Sequence, residues 1–159
     1  MKFKANRESD SFAAADEVLT GKNPSPEKAL PLLLQARSEG DLRAAYALGT
    51  WYLHGQGDLV AIDVARGLDL IREAAEVNIP NALYDLAVSA EIGDGCAKDE
   101  ARALSLYLRA ALRGESQSVY EVGRCYYYGI GTAEDKQVAQ VWFDRAAELG
   151  IDDHEEGKH

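Results

Sequence analysis

The side chains able to do chemistry in this sequence are few and scattered. Three Gly-x-Gly pairs come first: Gly55-Gln56-Gly57, Gly93-Asp94-Gly95 and Gly129-Ile130-Gly131. Such pairs can cradle a phosphate, because bare backbone N–H groups approach an oxyanion closely. The context here argues for turns instead. Each pair follows a helix pattern rather than a strand, and no Lys-Ser/Thr comes after it. His54 has the chemistry of a base or a ligand, but the other histidines, His154 and His159, lie far along the chain. It reads as a surface residue at a helix end. Cys96 and Cys125 form no CxxC pair, and no Cys/His cluster has metal spacing. No metal and no cofactor is therefore expected. No Ser/His/Asp or Cys/His arrangement stands out, so no catalytic residue is expected either.

The elements that would position these residues repeat along the chain. Asn81 to Gly114 registers on Gln117 to Gly150 at an offset of 36. Tyr84 falls on Tyr120, Gly93 and Gly95 on Gly129 and Gly131, and Asp99 on Asp135. Arg109-Ala110-Ala111 falls on Arg145-Ala146-Ala147. An earlier copy supplies Ala44, Tyr46, Gly49, Tyr52, Gly55 and Gly57, then Asp63, Gly67, Ala74-Ala75 and Asn78. It carries an insertion of two residues between Gly57 and Asp63. A fixed period of this length means stacked supersecondary units.

Each unit reads as two helices. The first runs from Leu42, Pro80 or Ser116 to the Gly-x-Gly pair. The second starts after Asp63, Asp99 or Asp135, whose short carboxylates can accept the orphan N–H groups of a helix start. Gly40, Asn78, Gly114 and Gly150 end helices, because these residue types tolerate the left-handed conformation common there. Gly49, Ala87 and Gly123 sit in mid-helix, where close approach of a neighbouring helix would favour small residues. A degenerate unit precedes these, with Ser25-Pro26 as a helix start and Asp10 to Leu19 as its first helix. The expected organisation is one repeat domain over residues 1–159, with repeats at 10–40, 41–78, 79–114 and 115–150 and an acidic tail at 151–159. The expected fold class is all-α, with seven or eight helices and no sheet.

The alternation of A-x-Y-x-L-G-x-x-Y-x-x-G-x-G with D-x-x-x-A-x-x-x-x-x-x-A-A-x-x-G resembles the Sel-1-like repeats, relatives of the tetratricopeptide repeats. Ala44-Ala45-Tyr46-Ala47-Leu48-Gly49-Thr50-Trp51-Tyr52-Leu53-His54-Gly55-Gln56-Gly57 carries the likeness most fully, and Tyr120 to Gly131 nearly as well. The middle copy departs, with Ala87 in place of Gly and Ala90 in place of Tyr. The resemblance implies a right-handed α/α superhelical solenoid of helix-turn-helix repeats of about 36 residues and a protein–protein adaptor role, often in bacteria. Some cysteine-rich relatives carry a cysteine pair in each repeat, and hydrolytic activity has been attributed to some of them. This sequence lacks those pairs, so a disulfide ladder is not implied; a hydrolase is the alternative of another class, disfavoured because no nucleophile and base are placed together.

Related solenoids place the first helices on the concave side. Helical spacing then assigns a non-core face of Ala47, Thr50, Trp51 and His54, then Asp85, Val88, Ser89 and Ile92, then Glu121, Arg124, Cys125 and Tyr128. Tyr126 reads as a core position, so one of Tyr127 and Tyr128 should reach the surface. The partner-binding set is thus Trp51, His54, Asp85, Ile92, Glu121, Arg124, Tyr127 and Tyr128. Trp51 fits either core or groove. The apolar insertion Asp58-Leu59-Val60-Ala61-Ile62 is expected to tuck under the next helix, the alternative being an apolar contact surface.

Net charge is -10, which disfavours nucleic acid and anionic membrane and suits a basic protein partner. No apolar run of about eighteen residues is present to span a membrane. Arg7, Glu8, Asp10, Asp16 and Glu17 interrupt any signal-like segment, and two cysteines fit a reducing compartment, so the expectation is cytoplasmic. Together these favour a non-catalytic binding module. The sharpest version is a bacterial immunity or inhibitor protein that neutralises a basic toxin or effector domain, motivated by a short stand-alone array, absence of an export signal and the acidic charge. The rival in the same class is a general adaptor or regulatory scaffold.

Overall fold

The computed structural model describes residues 4–151. Eight α-helices occur among them: α1 (Asp10–Thr20), α2 (Pro26–Ser38), α3 (Arg43–His54), α4 (Val64–Glu76), α5 (Pro80–Ile92), α6 (Glu100–Leu112), α7 (Ser116–Tyr128) and α8 (Lys136–Glu148). No strand is present among the described residues; Gln56 alone makes isolated bridges, to Asp58 and Val60. The fold is an all-α helical repeat solenoid. Beyond Ile151, the expected acidic tail lies outside the described residues. The chain divides into two compact units between Ala82 and Leu83.

The helix boundaries follow from local chemistry. Asp63, Asp99 and Asp135 cap α4, α6 and α8 by accepting from the N–H groups of Arg66, Arg102 and Val138, at 3.1, 2.9 and 2.9 Å. All three caps have extended backbone with ψ of 92 or 93°. Ser25 caps α2 in the same manner, with Pro26 at its first turn. The residues expected to end helices do so with positive φ: 94° at Gly40, 60° at Asn78, 90° at Gly114 and 79° at Gly150.

In the first unit α1 packs on α2, α2 on α3 and α3 on α4. Its core includes Ala15, Ala29, Leu33, Ala36, Ala44, Leu48, Ile71 and Ala74. Small residues set how near α3 and α4 lie. A Cβ on Gly49 would stand 3.0 Å from the Gly67 carbonyl oxygen, and one on Gly67 would stand 2.9 Å from that of Gly49. Two backbones in contact leave nothing that can rotate aside, which explains glycine at both positions despite its helix cost of about 1 kcal/mol.

Asp41, between α2 and α3, is fully buried. It accepts from Asn6 Nδ2 at 3.1 Å, the Ser9 N–H at 2.9 Å, and Arg43 Nε and Nη2 at 2.9 and 2.6 Å. Burial pushes this carboxyl up, but the bonds from Arg43, Asn6 and Ser9 outweigh it and hold Asp41 below the usual range. The Leu42 N–H donates back to Asn6 Oδ1 at 2.7 Å. The Arg43 guanidinium also lies 4.4 Å from the Phe12 ring centre. One carboxylate thus ties the segment before α1 to the α2–α3 turn.

The inserted segment after α3 divides between the two expected outcomes. The Gln56 N–H donates to the Val60 carbonyl at 2.9 Å, and Val60 returns the bond at 3.3 Å. Val60 is buried, whereas Ile62 stands exposed.

In the second unit α6 packs on α7 and α7 on α8. The α5 helix joins through the Tyr84 and Tyr107 rings, 5.9 Å apart, and through the Asp99 N–H on the Ala90 carbonyl at 2.7 Å. Leu83, Ala87, Ala103, Tyr107, Ala110, Val119, Val122, Cys125, Ala139 and Ala146 are buried. A Cβ on Gly123 would lie 2.7 Å from Phe143 Cδ1, so the expected close approach occurs here too.

Candidate partner-binding surface

Each unit places some of the expected binding residues at the C-terminal ends of its first helices. In the first unit His54 ends α3 and is exposed, while Trp51, one turn earlier, is half-buried. In the second unit Ile92 ends α5 and Tyr128 ends α7. These are large apolar or aromatic side chains left in solvent, 63% exposed at Ile92, 59% at Tyr128 and 37% at Tyr127. Both Tyr127 and Tyr128 reach the surface, where only one was expected. Their rings meet edge to face at 4.8 Å. Tyr127 also lies 6.2 Å from the Phe143 ring, with Lys136 Nζ 4.9 Å from its own ring centre. Tyr127 thus packs against Tyr128, Phe143 and Lys136.

Beneath these ends runs an ionic network that helical spacing alone did not assemble. Arg124 Nη2 donates to both Glu91 oxygens at 2.8 and 2.7 Å, and Arg124 Nε donates to Glu121 Oε2 at 2.6 Å. The Tyr107 hydroxyl donates to Glu91 Oε2 at 2.9 Å. These bonds join α5, α6 and α7. The side chains of Arg124, Glu91 and Glu121 are only 13–19% exposed. Glu121 and Arg124, expected to face a partner, are thus spent largely on holding helix ends together. Burial pushes Glu91 up, but the Arg124 guanidinium and the Tyr107 hydroxyl outweigh it and hold the carboxyl below its ordinary value. Burial, then the Glu91 charge, drives the Tyr107 phenol far above its usual range.

Glu91 and Tyr107 were not singled out from the sequence, yet a signal existed. Glu91 occupies the register position of Leu53 and Tyr127, and Tyr107 that of Ile71 and Phe143. In the same copy a carboxylate stands where the others have leucine or tyrosine, and a phenol where they have isoleucine or phenylalanine; Arg124 of the next copy and Tyr107 both bond Glu91.

Asp85 is half-buried. Cys125 does not share the groove face expected for it. It is fully buried, and burial pushes its thiol up to about 12. Cys96 is half-buried and its thiol donates to the Ser89 carbonyl at 3.5 Å. Native protein treated with an alkylating reagent at mild alkaline pH should accordingly take up one label at Cys96. Label at Cys125 should wait for unfolding, because the thiolate is the nucleophile. Equal labelling rates at the two positions would contradict the burial of Cys125.

Among the described residues no group of three or more His, Cys, Asp or Glu side chains is placed to hold a metal ion. No helix among them is long and apolar enough to cross a membrane.

The Sel1 repeat model matches residues 42–78, 80–115 and 116–151. The chain belongs to the Sel1 repeat family. A Sel1 repeat protein from Oxalobacter formigenes is 34% identical, covering 77% of this chain and 91% of its own, with a TM-score of 0.72. A protective antigen of uropathogenic Escherichia coli with the same repeat fold is 27% identical, covers 88% of this chain and 30% of its own, and has a TM-score of 0.76. An immunity protein of Pseudomonas aeruginosa superposes at a TM-score of 0.63 over 92% of this chain and 56% of its own, at 18% identity. That identity carries the fold alone. No curated protein matches the chain. Sel1 repeats form protein-interaction scaffolds, so membership makes this Sel1 repeat chain a scaffold of that class. In its second unit the ends of α5 and α7 carry Ile92, Tyr127 and Tyr128 exposed.

Proposed function

We propose that this Sel1 repeat protein is a non-catalytic binding module, and in its specific form a cytoplasmic bacterial immunity protein that captures and neutralises a basic toxin or effector domain. The observation that carries the reading is the exposure of Ile92 at the end of α5 and of the Tyr127–Tyr128 pair at the end of α7, two helices joined by a part-buried ion network, in a chain of net charge -10. Rigid aromatic anchors with little rotamer freedom are the kind of residue that dominates protein interfaces. The net acidic charge of the chain would speed capture of a basic protein. Pseudomonas aeruginosa immunity proteins of like fold lend support to the toxin-directed version.

The test pairs the protein with the product of the gene beside its own, which this reading expects to be a basic toxic domain. Co-expression should restore growth, and purified proteins should associate at a rate that falls as salt rises, since the Debye length shrinks from about 10 Å at 0.1 M to about 3 Å at 1 M ionic strength. Tyr128→Ala should weaken affinity by about 2 kcal/mol with the melting temperature unchanged. An association rate indifferent to salt removes the electrostatic part of the reading. Unchanged affinity in Tyr128→Ala removes these helix ends as the site.

A further inference from the structure

The turn that joins α3 to α4 carries an apolar pair where the other copies are charged. Counting from the capping aspartates, Ile62 stands at the position of Lys98 and Glu134, and Val64 at the position of Glu100 and Lys136. The geometry agrees with the count. A Cβ on Gly55 would lie 3.2 Å from Ile62 Cγ1, as one on Gly93 would lie 3.2 Å from Lys98 Cβ and one on Gly129 the same distance from Glu134 Cγ. A site that tolerates lysine and glutamate in solvent therefore holds isoleucine here. Ile62 is 65% exposed and Val64 51% exposed, with Ala61 and Ala65 also exposed beside them.

Backbone bonds brace the turn. Val60 is buried and exchanges backbone bonds with Gln56, and the Asp63 N–H donates to the Tyr52 carbonyl at 2.8 Å. Its rim is acidic, with Asp58 and Asp63 exposed. The nearest cation in the chain, Arg66, is laid over the Tyr52 ring, 4.5 Å from its centre. Between Arg43 and Lys98 the sequence has only two lysine or arginine residues, Arg66 and Arg72, and Arg72 is paired with Asp69.

We infer that the Ile62–Val64 edge is a second docking surface, in the first unit, for a segment of another protein that presents an apolar side chain flanked by lysine or arginine. The inference deepens the binding-module reading and rests on it. The apolar pair supplies the contact, because covering such side chains removes apolar surface from water. Asp58 and Asp63 select the flanking positive charge.

The test uses a short synthetic peptide of alternating leucine and lysine, titrated into isotope-labelled full-length protein while backbone amide shifts are followed. Two controls replace its lysines with glutamate or its leucines with serine. Shifts at Leu59, Ala61, Ile62, Val64 and Ala65 are expected with the leucine–lysine peptide, smaller at high salt and absent with either control. The double variant Ile62→Lys with Val64→Glu installs the residue types of the middle copy. It should melt as the parent does and bind at least about tenfold more weakly, the effect of leaving one aliphatic contact unmade. Asp58→Lys, at an exposed position, should also weaken binding. Absence of these shifts, or undiminished binding by the double variant, overturns the inference. A drop in melting temperature of the double variant overturns it too, since the pair would then be structural. None of those results touches the Tyr128→Ala test, so failure of this edge and failure of the module reading stay distinguishable.

Discussion

Gly131→Ala is expected to be far more damaging than Gly57→Ala, although both change the second glycine of a Gly-x-Gly pair. Gly131 has φ 71° and Gly57 has φ 53°, so alanine at either position meets the left-handed penalty of about 1–2 kcal/mol. Their surroundings differ. A Cβ on Gly57 meets nothing within 4 Å, whereas one on Gly131 would lie 2.6 Å from the Glu100 carbonyl carbon and 2.9 Å from the Ala101 nitrogen. Those are backbone atoms in the first turn of α6, and no rotamer change clears them. Overpacking of this kind adds about 1–3 kcal/mol, giving roughly 2–5 kcal/mol for Gly131→Ala in all. Urea denaturation of the two variants measures the difference. Equal losses would show that the loop after α7 does not rest on the start of α6.

That contrast marks where the sequence stops being informative. Repetition of Asp63, Asp99 and Asp135 before each second helix specified those helix starts, because capping is a contact over three residues and needs no knowledge of the rest. Gly40, Asn78, Gly114 and Gly150 were legible for the same reason. The Gly-x-Gly pairs were legible as turns, but the burden on Gly131 depends on α6, some thirty residues away along the chain, and periodicity cannot report it. Faces were assigned less well than elements. Cys125 shares a helical face with Glu121 and Tyr128 by spacing, yet it lies inside, because α7 has neighbours on two sides and its exposed arc is narrower than a simple amphipathic stripe. Both Tyr127 and Tyr128 escape to the surface because α7 ends there and the chain turns away at Gly129, which has φ 72°. Asp41 was overlooked altogether. Its partners Asn6 and Ser9 lie more than thirty residues earlier in the chain, and only the fold makes a lone aspartate into a junction.

The Arg124 network gives the other large effect. Arg124→Met keeps most of the side-chain volume and removes the one cation shared by Glu91 and Glu121. Breaking a buried pair by deleting one partner costs about 3–5 kcal/mol, since the carboxylates left behind lose their compensation. The residual exposure of 13–19% places this case at the low end of that range. The sign with pH separates an electrostatic cause from simple loss of packing. Glu91 is held below its ordinary value in the folded parent, so its contribution is present above the unfolded value of about 4.3 and is lost as pH falls through the lower folded value. In Arg124→Met the same carboxyl is buried without its cation and favours the protonated form. The variant should therefore gain stability as pH falls from 7 towards about 5, over a range where the parent network is still intact. The gap between the two proteins should narrow across that interval. A gap constant from pH 7 to pH 5 would falsify the ionic account and leave packing as the cause. Tyr107→Phe supplies a graded comparison, because it removes one 2.9 Å bond to the same carboxylate and should cost about 1.5–3 kcal/mol. The consequence for function follows from position. Glu91 adjoins Ile92 at the end of α5, and Arg124 lies one turn before Tyr128 at the end of α7. Loosening the bond between them frees the two helix ends that carry the proposed anchors Ile92, Tyr127 and Tyr128. Partner affinity should consequently fall in Arg124→Met at pH 7 and recover in part as the pH drops, although Arg124 itself is largely shielded from any partner.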